Sequence, residues 1–270
     1  MAVIALMSAK AAPGVTTSVA ALAWAWPTEV LLADCDPAGG DLAAGWLGRW
    51  LLAGQLRADR GVLSFATETR HERGGSCGSL DGHAQPVAVA PHIRLLAGLA
   101  SPAQNASVGA AGWQRLAQAL TTTGPGRDVL VDLGRYSPAT PHALLQAADL
   151  VLLAVRPHAR HVLAARPALA ELARQLEPDR LGLAVCATTA AGSRDVRNAL
   201  GFAVGLELPH DPRAAAVLSD GEYGGLPAAR ALLLRAARRT ALRLHRTLNL
   251  RPSPPSAPVP RVPIVTGGRP

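Results

Sequence analysis

The sequence predicts an α/β domain: a doubly wound, mainly parallel sheet with helices on both faces. Short apolar runs recur along the chain, and stretches with the 3.6-residue period of an amphipathic helix separate several of them. Most of the runs are apolar throughout and do not alternate with polar residues, which is typical of strands buried on both faces. Helices must then cover both sides of the sheet, joined to it by right-handed crossovers.

The elements follow from these patterns in chain order. Apolar runs predict strands at Val3–Met7, Val30–Ala33, Ile93–Ala97, Val129–Leu133, Leu150–Val155, Leu181–Cys186 and Leu206–Leu208. Helical periodicity predicts helices at Thr16–Trp26, Gly112–Leu120, Arg160–Leu176 and Arg194–Leu200, with a last one from Leu226 to about Leu250.

One nucleotide-binding domain is expected over residues 1–250. Within it, residues 57–91 are rich in glycine, serine, histidine and charge, which predicts an irregular excursion with one short helix. Residues 251–270 are rich in proline, so we expect a disordered tail there.

Composition excludes several classes of protein. With 270 residues, of which 49% are apolar, the chain can bury a sizeable core and is not a disordered protein. No run reaches the roughly 18 to 20 uncharged apolar residues of a membrane-spanning helix. The apolar N-terminus has no basic leader, so it is interpreted as a first strand and not as a signal peptide. Cys35, Cys77 and Cys186 form no C-x-x-C pair, which favours a cytoplasmic protein without a zinc site or disulfide framework.

The charge balance favours an acidic partner. Of the 27 basic residues only Lys10 is a lysine, and the net charge is +8. Such a charge favours contact with nucleic acid or anionic lipid.

The segment Ser8–Thr17 follows the first strand and precedes a helix, an arrangement typical of a phosphate-binding loop. The regular pattern is G-x-x-x-x-G-K-[ST]. Gly14 and Thr16 match its last glycine and its Mg²⁺-binding hydroxyl, but Val15 occupies the lysine position. From this loop alone, an ordinary strand–turn–helix with a chance lysine is an equal alternative.

The loop also resembles the deviant Walker A motif of ParA/MinD ATPases, K-G-G-x-G-K-[ST]-[ST]. Lys10-Ala-Ala-Pro-Gly-Val-Thr-Thr17 matches the motif at Lys10, Gly14, Thr16 and Thr17 and departs from it at Ala11, Ala12 and Val15. The resemblance implies that Lys10 is the catalytic signature lysine. It also implies a cradle for the nucleotide phosphates that consists of Ala12, Pro13, Gly14, Val15, Thr16 and Thr17.

Two acidic strand ends extend the resemblance. The segment Val30–Asp41, with its D-x-D-P sequence, resembles the second strand and switch segment of the family. By that match Asp36 orients the attacking water, and Asp34 lies near the phosphates and metal. The segment Asp128–Gly134 resembles the Walker B strand, so Asp132 and Thr16 would support Mg²⁺. Taken alone, the first segment has a second explanation, a turn with an Asx cap.

The later segments occur in the family's order, and the resemblance spans about residues 1–225. Asp149–Pro157 resembles the strand after Walker B, and Leu206–Pro212 resembles the segment beside the adenine, which implies that Pro209 and Asp211 contact the nucleotide. Where the family usually has an asparagine for base recognition, this chain has Cys186-Ala-Thr-Thr189.

The resemblance implies a homodimer that binds ATP and Mg²⁺ and positions a chromosome, a plasmid or cell-envelope machinery, in the cytoplasm or at the periphery of the nucleoid or membrane. Val15 removes a fixed cation from the phosphate site, and this loss is expected to make ATP hydrolysis weak or absent. Two alternatives stay open. One is a non-hydrolysing scaffold for a partner ATPase in pilus or secretion assembly, and the other is a small-molecule enzyme on the same fold.

The last predicted helix is basic and amphipathic. One arc carries arginines at 235, 238, 239, 243 and 246, and the opposite side is rich in leucine and alanine. Three interpretations follow: a structural helix with a solvated basic face, a contact for nonspecific DNA, or a helix that lies on an anionic membrane.

Overall fold

The computed structural model of the chain describes residues 1–10, 13–71, 78–124, 126–222 and 230–249. Within these residues one sheet contains eight strands: β1 (Val3–Ser8), β2 (Val30–Asp34), β3 (Gln85–Pro86), β4 (Ile93–Leu96), β5 (Asp128–Arg135), β6 (Leu150–Val155), β7 (Leu181–Thr188) and β8 (Val204–Pro209). Their order across the sheet is β3-β4-β2-β5-β1-β6-β7-β8. Neighbouring strands are parallel, except that β3 runs antiparallel to β4.

The α-helices of the described residues are α1 (Val15–Trp24), α2 (Gly48–Leu52), α3 (Val62–Glu68), α4 (Pro102–Thr121), α5 (His142–Ala147), α6 (Ala159–Leu172), α7 (Ala190–Leu200), α8 (Pro212–Ser219) and α9 (Leu232–Asn249). A π-helical segment, Leu42–Trp46, precedes α2. None of the described helices has both the length and the apolar composition needed to span a bilayer.

The core has two halves, one on each face of the sheet. Along β1, Ile4 and Leu6 belong to the half beneath α1, α8 and α9, whereas Ala5 and Met7 belong to the half beneath α3 to α7. All four side chains are buried. Burial on both faces explains why the strand is apolar throughout, and the predicted doubly wound α/β fold is confirmed.

All seven predicted strands are present, and the structure adds the two-residue β3. The sequence missed three short helices, α2, α5 and α8. The 57–91 excursion contains α3, in agreement with the one short helix expected there, and also the strand β3. Helix α4 begins at Pro102 and not at Gly112. Gly109, with a positive φ of 61°, interrupts this helix, so the part before it does not continue the period of the part after it. Residues 72–77, with Cys77, and the predicted tail at 251–270 lie outside the described residues.

Helix α9 packs onto β8 and α1. Its leucine and alanine face is buried as predicted, and its side chains are Leu233, Ala236, Ala237, Ala241, Leu244 and Leu248. A polar network fastens the helix at the amino end of the sheet. There the buried carboxylate of Asp128 contacts Nδ1 of His245 at 2.6 Å and accepts hydrogen bonds from the amide of Ala2 (2.8 Å) and Nε1 of Trp26 (3.1 Å).

Candidate functional site

The turn after β1 presents the first amides of α1 to solvent. Gly14 caps the helix with φ 108° and ψ 40°, a left-handed conformation that favours glycine. The carbonyl of Gly14 accepts from both the amide (2.9 Å) and the hydroxyl (2.6 Å) of Ser18. The amides of Val15, Thr16 and Thr17 precede that hydrogen bond and have no acceptor within the helix. With the helix dipole, they form an anion-binding geometry.

Two carboxyl groups lie side by side beneath this turn. Asp34 of β2 is the register neighbour of Asp132 on β5, and each side chain is 1% exposed. Oδ2 of Asp34 accepts the amide of Leu42 (3.1 Å), while its Oδ1 has no partner among the described residues. Oδ1 of Asp132 accepts the amide of Gly134 (2.8 Å).

Glycines allow the backbone to close around Asp34. A Cβ at Gly98 would lie 2.8 Å from the carboxyl carbon of Asp34, and a Cβ at Gly40 would come closer still. The carboxyl group of Asp34 therefore fits only because positions 40 and 98 have no side chain.

Burial shifts the protonation of both acids. It raises the pKa of Asp34 well above its usual value, and the charge of Asp132 raises it further. Burial also raises the pKa of Asp132 to about 6, although a hydrogen bond from Thr16 and the amide of Gly134 act in the opposite direction. A bound cation would stabilise the ionised form of both groups.

The donor set fits Mg²⁺ bound mostly through water. No three His, Cys, Asp or Glu side chains among the described residues are arranged as a metal cluster. Mg²⁺, however, keeps several water ligands and needs only one or two protein oxygens. Thr16 lies near enough to Asp132 to lower the pKa of that carboxyl group, so the two residues supply such a pair with Asp34 behind them.

Asp36 lies on the other side of the turn. Its Oδ1 accepts the amide of Ala38 (2.8 Å), and its carboxylate packs directly on Gly134. Gly134 has φ 59°, and any Cβ there would collide with the carboxylate. Burial raises the pKa of Asp36.

The first turn of α1 and Asp36 border a cavity of about 570 Å³, whereas Asp34 and Asp132 are buried and do not line it. Its lining residues are Ser8, Gly14, Val15, Thr16, Thr17, Asp36, Asp41, Gly45, Gly134, Arg135, Arg156, Ser219 and Asp220. An adjacent cavity of about 250 Å³ shares Gly14, Thr17 and Arg156 with it. The smaller cavity is also lined by Pro13, Pro209 and Asp211. The structure therefore brings the loop, Asp36 and the late Pro209–Asp211 segment together.

Several predicted residues are placed differently. Lys10 is exposed and lies outside the lining of both cavities, and Ala12 lies outside the described residues. Val15 borders the larger cavity but is only 6% exposed and belongs to the core beneath α1, so it does not fill the phosphate space. The carboxylate of Asp211 caps α8, accepting from the amides of Ala214 (3.2 Å) and Leu233 (3.3 Å).

The sequence analysis missed Arg156, which follows β6. Nε of Arg156 donates to the carbonyl of Pro13 at 3.1 Å, and the side chain borders both cavities. Because β6 pairs with β1, with Ala154 opposite Ser8, the two strand ends meet at one edge of the sheet. An arginine just after an apolar strand was the signal available in the sequence.

A larger cavity, about 690 Å³, lies at the amino end of the sheet. Thr28, Glu29, Asp81 and Arg127 are among its lining residues, and none of the predicted site residues borders it. In open α/β sheets ligands bind at the carboxyl ends of the strands. We therefore assign no function to this cavity.

No protein-family model and no curated protein matches this sequence. Solved structures are similar in fold. A ParA family ATPase from Chlorobium tepidum TLS superposes with a TM-score of 0.68 at 16% identity, over 90% of this chain and 99% of that chain. The MinD cell division protein of Aquifex aeolicus gives 0.69 at 18% identity, over 91% and 98%. The septum site-determining protein MinD of Pyrococcus horikoshii OT3, complexed with Mg-ADP, gives 0.68 at 14%, over 92% and 97%.

These similarities show the fold. The chain has a ParA/MinD-like P-loop NTPase fold, as the resemblance of its motifs predicted.

Proposed function

We propose that this chain is a nucleotide-binding protein of the ParA/MinD kind, which binds ATP with Mg²⁺ and positions a cellular cargo. The observation that carries the proposal is the cavity bordered by the first turn of α1 and by Asp36, with the buried pair Asp34 and Asp132 behind its lining. The Pyrococcus protein of the same fold was solved with Mg-ADP, which supports the choice of ligand.

Each part of the site then has a role. The amides of Pro13–Thr17 that are free to donate would hold phosphate oxygens, with proline contributing shape and no donor. Thr16 and Asp132 would hold Mg²⁺, and Mg²⁺ would offset charge on the phosphates. Asp36, which borders the cavity, would orient a water molecule. Pro209 would line the side of the site where the base lies.

Lys10 would act between two copies of the chain. It is exposed and lies outside its own cavity lining, so its ammonium group is accessible to a second molecule. We propose a homodimer in which Lys10 of one copy contacts the nucleotide of the other. In this arrangement Lys10 contributes to dimerisation and turnover more than to binding by one chain.

Hydrolysis by this site would be slow. Phosphoryl transfer depends on positioning and on fixed cations that stabilise charge in the transition state. Val15 supplies no charge. The Val15 side chain is buried and forms part of the hydrophobic core. We therefore propose tight or moderate binding with weak turnover.

The buried, uncharged Val15 also favours a second function, a non-hydrolysing scaffold for a pilus or secretion assembly. In that case nucleotide binding would fix the conformation that a partner ATPase or assembly protein recognises. Turnover separates the two functions, because a positioning cycle requires release of the nucleotide by hydrolysis and a scaffold does not.

Helix α9 supplies a surface for an acidic partner. Arg235, Arg238, Arg239 and Arg246 are exposed, while Nη2 of Arg243 donates to the carbonyl of Gly205 (2.6 Å). Because the apolar face of α9 packs on β8 and α1, lying in a membrane would require the helix to leave the fold. The exposed arginines therefore favour nonspecific DNA over lipid, and with it a location at the nucleoid.

Isothermal titration calorimetry with ATP and ADP, with Mg²⁺ and with EDTA, tests the proposal. We expect binding that weakens at least tenfold in EDTA. Asp132→Asn should lose most of this Mg²⁺ dependence, whereas Asp59→Asn, an exposed acid paired with Arg57, should keep it. No binding of either nucleotide at about 1 mM would overturn the proposal. Binding without measurable phosphate release would favour the scaffold.

A further inference from the structure

The cavity at the helix terminus is short of positive charge. Its lining contains three acids, Asp36, Asp41 and Asp220, against two basic residues, Arg135 and Arg156. A polyphosphate adds further negative charge, which the helix dipole alone offsets by only about half an elementary charge. Since position 15 carries valine, any fixed cation that meets the phosphates within one chain comes from these two arginines.

The geometry distinguishes the two. Arg135 is exposed. Burial raises the pKa of Asp36 and the charge of Arg135 offsets part of that rise, so Arg135 faces the acid side of the cavity. Arg156 is half-buried and fixed to the loop itself by the hydrogen bond from its Nε to the carbonyl of Pro13. It is also the basic residue that borders both cavities.

The anchored guanidinium retains donors for a ligand. A guanidinium has five N–H groups, and the bond to Pro13 uses the one on Nε. Within the described residues the two Nη atoms of Arg156 make no hydrogen bond or ion pair. A planar fork held at one N–H and free at its other end matches the bidentate geometry of phosphate recognition.

We propose that Arg156 supplies, within the same chain, the phosphate-binding cation that Val15 does not provide. The ligand class is a nucleoside di- or triphosphate, so this inference rests on the proposed function. The guanidinium would approach the phosphates from the β6 side of the loop and would make binding by a single copy independent of a second chain.

An alternative role is purely structural: Arg156 would only hold the Pro13 carbonyl and the turn. Arg156→Gln separates the two roles, because the glutamine amide keeps an N–H donor for that carbonyl and removes the charge. Arg156→Lys keeps the charge. Arg160→Gln is the matched control, since Arg160 is exposed at the start of α6 and lies outside both cavity linings.

The experiment measures binding of ATP and of inorganic tripolyphosphate by calorimetry with Mg²⁺, at two protein concentrations tenfold apart. Unfolding temperatures of all variants verify that they are folded. We expect Arg156→Gln to weaken both ligands at least tenfold, Arg156→Lys to restore most of the affinity, and Arg160→Gln to change it less than twofold. The wild-type affinity should be the same at both protein concentrations.

The outcomes separate this inference from the proposed function. If the wild type binds ATP and Arg156→Gln binds it equally well, Arg156 is only an anchor and the inference is wrong, while the proposed function stands. If the wild type binds tripolyphosphate but not ATP, and binding requires Arg156, the proposed function is wrong and the cation assignment stands. If the wild type binds neither ligand, both are wrong.

Discussion

Replacing Asp128 with alanine is expected to destabilise the protein by about 3–5 kcal/mol, the usual loss when one member of a buried polar pair is removed. The carboxylate is 1% exposed at the start of β5. It joins three parts of the chain, since its partners are the amide of Ala2, Nε1 of Trp26 after α1, and Nδ1 of His245 on α9.

The magnitude follows from what alanine leaves behind. The donors of Ala2 and Trp26 are buried and lose their acceptor. Each unsatisfied buried donor costs about 1–3 kcal/mol. The side chain of His245 is 28% exposed and regains some solvent, so it adds less. The sum agrees with the 3–5 kcal/mol expected above and is a large part of the roughly 5–15 kcal/mol that stabilises a typical domain.

Urea unfolding followed by far-UV circular dichroism at pH 7.5 measures the effect. Asp59→Ala is the control, because its pair with Arg57 lies on the surface and should contribute nothing measurable. A loss below about 1 kcal/mol for Asp128→Ala would refute the reasoning. It would mean that the contact between Asp128 and His245 does little to hold α9 at the amino end of the sheet in solution.

Three further predictions concern charge. Lys10→Ala should weaken ATP-dependent dimerisation at least tenfold in analytical ultracentrifugation, about 1.4 kcal/mol, and an unchanged dimer constant would exclude a role for Lys10 between copies. Burial, with Arg160, Arg156 and His158 nearby, lowers the pKa of His161, so its contribution to stability is present above about pH 6.5 and is lost as the pH falls. His161→Gln should therefore reduce the loss of unfolding free energy, measured with urea, as the pH falls below about 6.5. If the variant and the wild type lose stability equally over that range, the prediction is wrong. Replacing Arg235, Arg238, Arg239 and Arg246 with glutamine should weaken salt-dependent DNA binding in gel shifts, whereas equal binding would place any DNA contact elsewhere.

The sequence predicted the central strands well because β1, β2 and β6 are buried on both faces and therefore continuously apolar. Helices α2, α5 and α8 were not predicted, since each has at most eight residues and too few turns to show a period. The order of the strands in the sheet could not be predicted from the sequence either. Only the sheet reveals that β6 lies beside β1 and that Asp34 is the register neighbour of Asp132.

The position of a cation in this site depends on the space that each strand end offers. Position 15 lies at the first turn of α1, where a valine that is 6% exposed packs against the core at the border of the cavity and supplies no charge. The position after β6 is half-buried and open to the same cavity, and it holds an arginine fixed by one hydrogen bond. In a chain whose basic residues are arginines with the exception of Lys10, a guanidinium therefore lies at the edge where β1 and β6 meet and not at position 15. A phosphate site on this fold therefore need not be judged by its loop lysine alone, because parallel strands bring their carboxyl ends to one place.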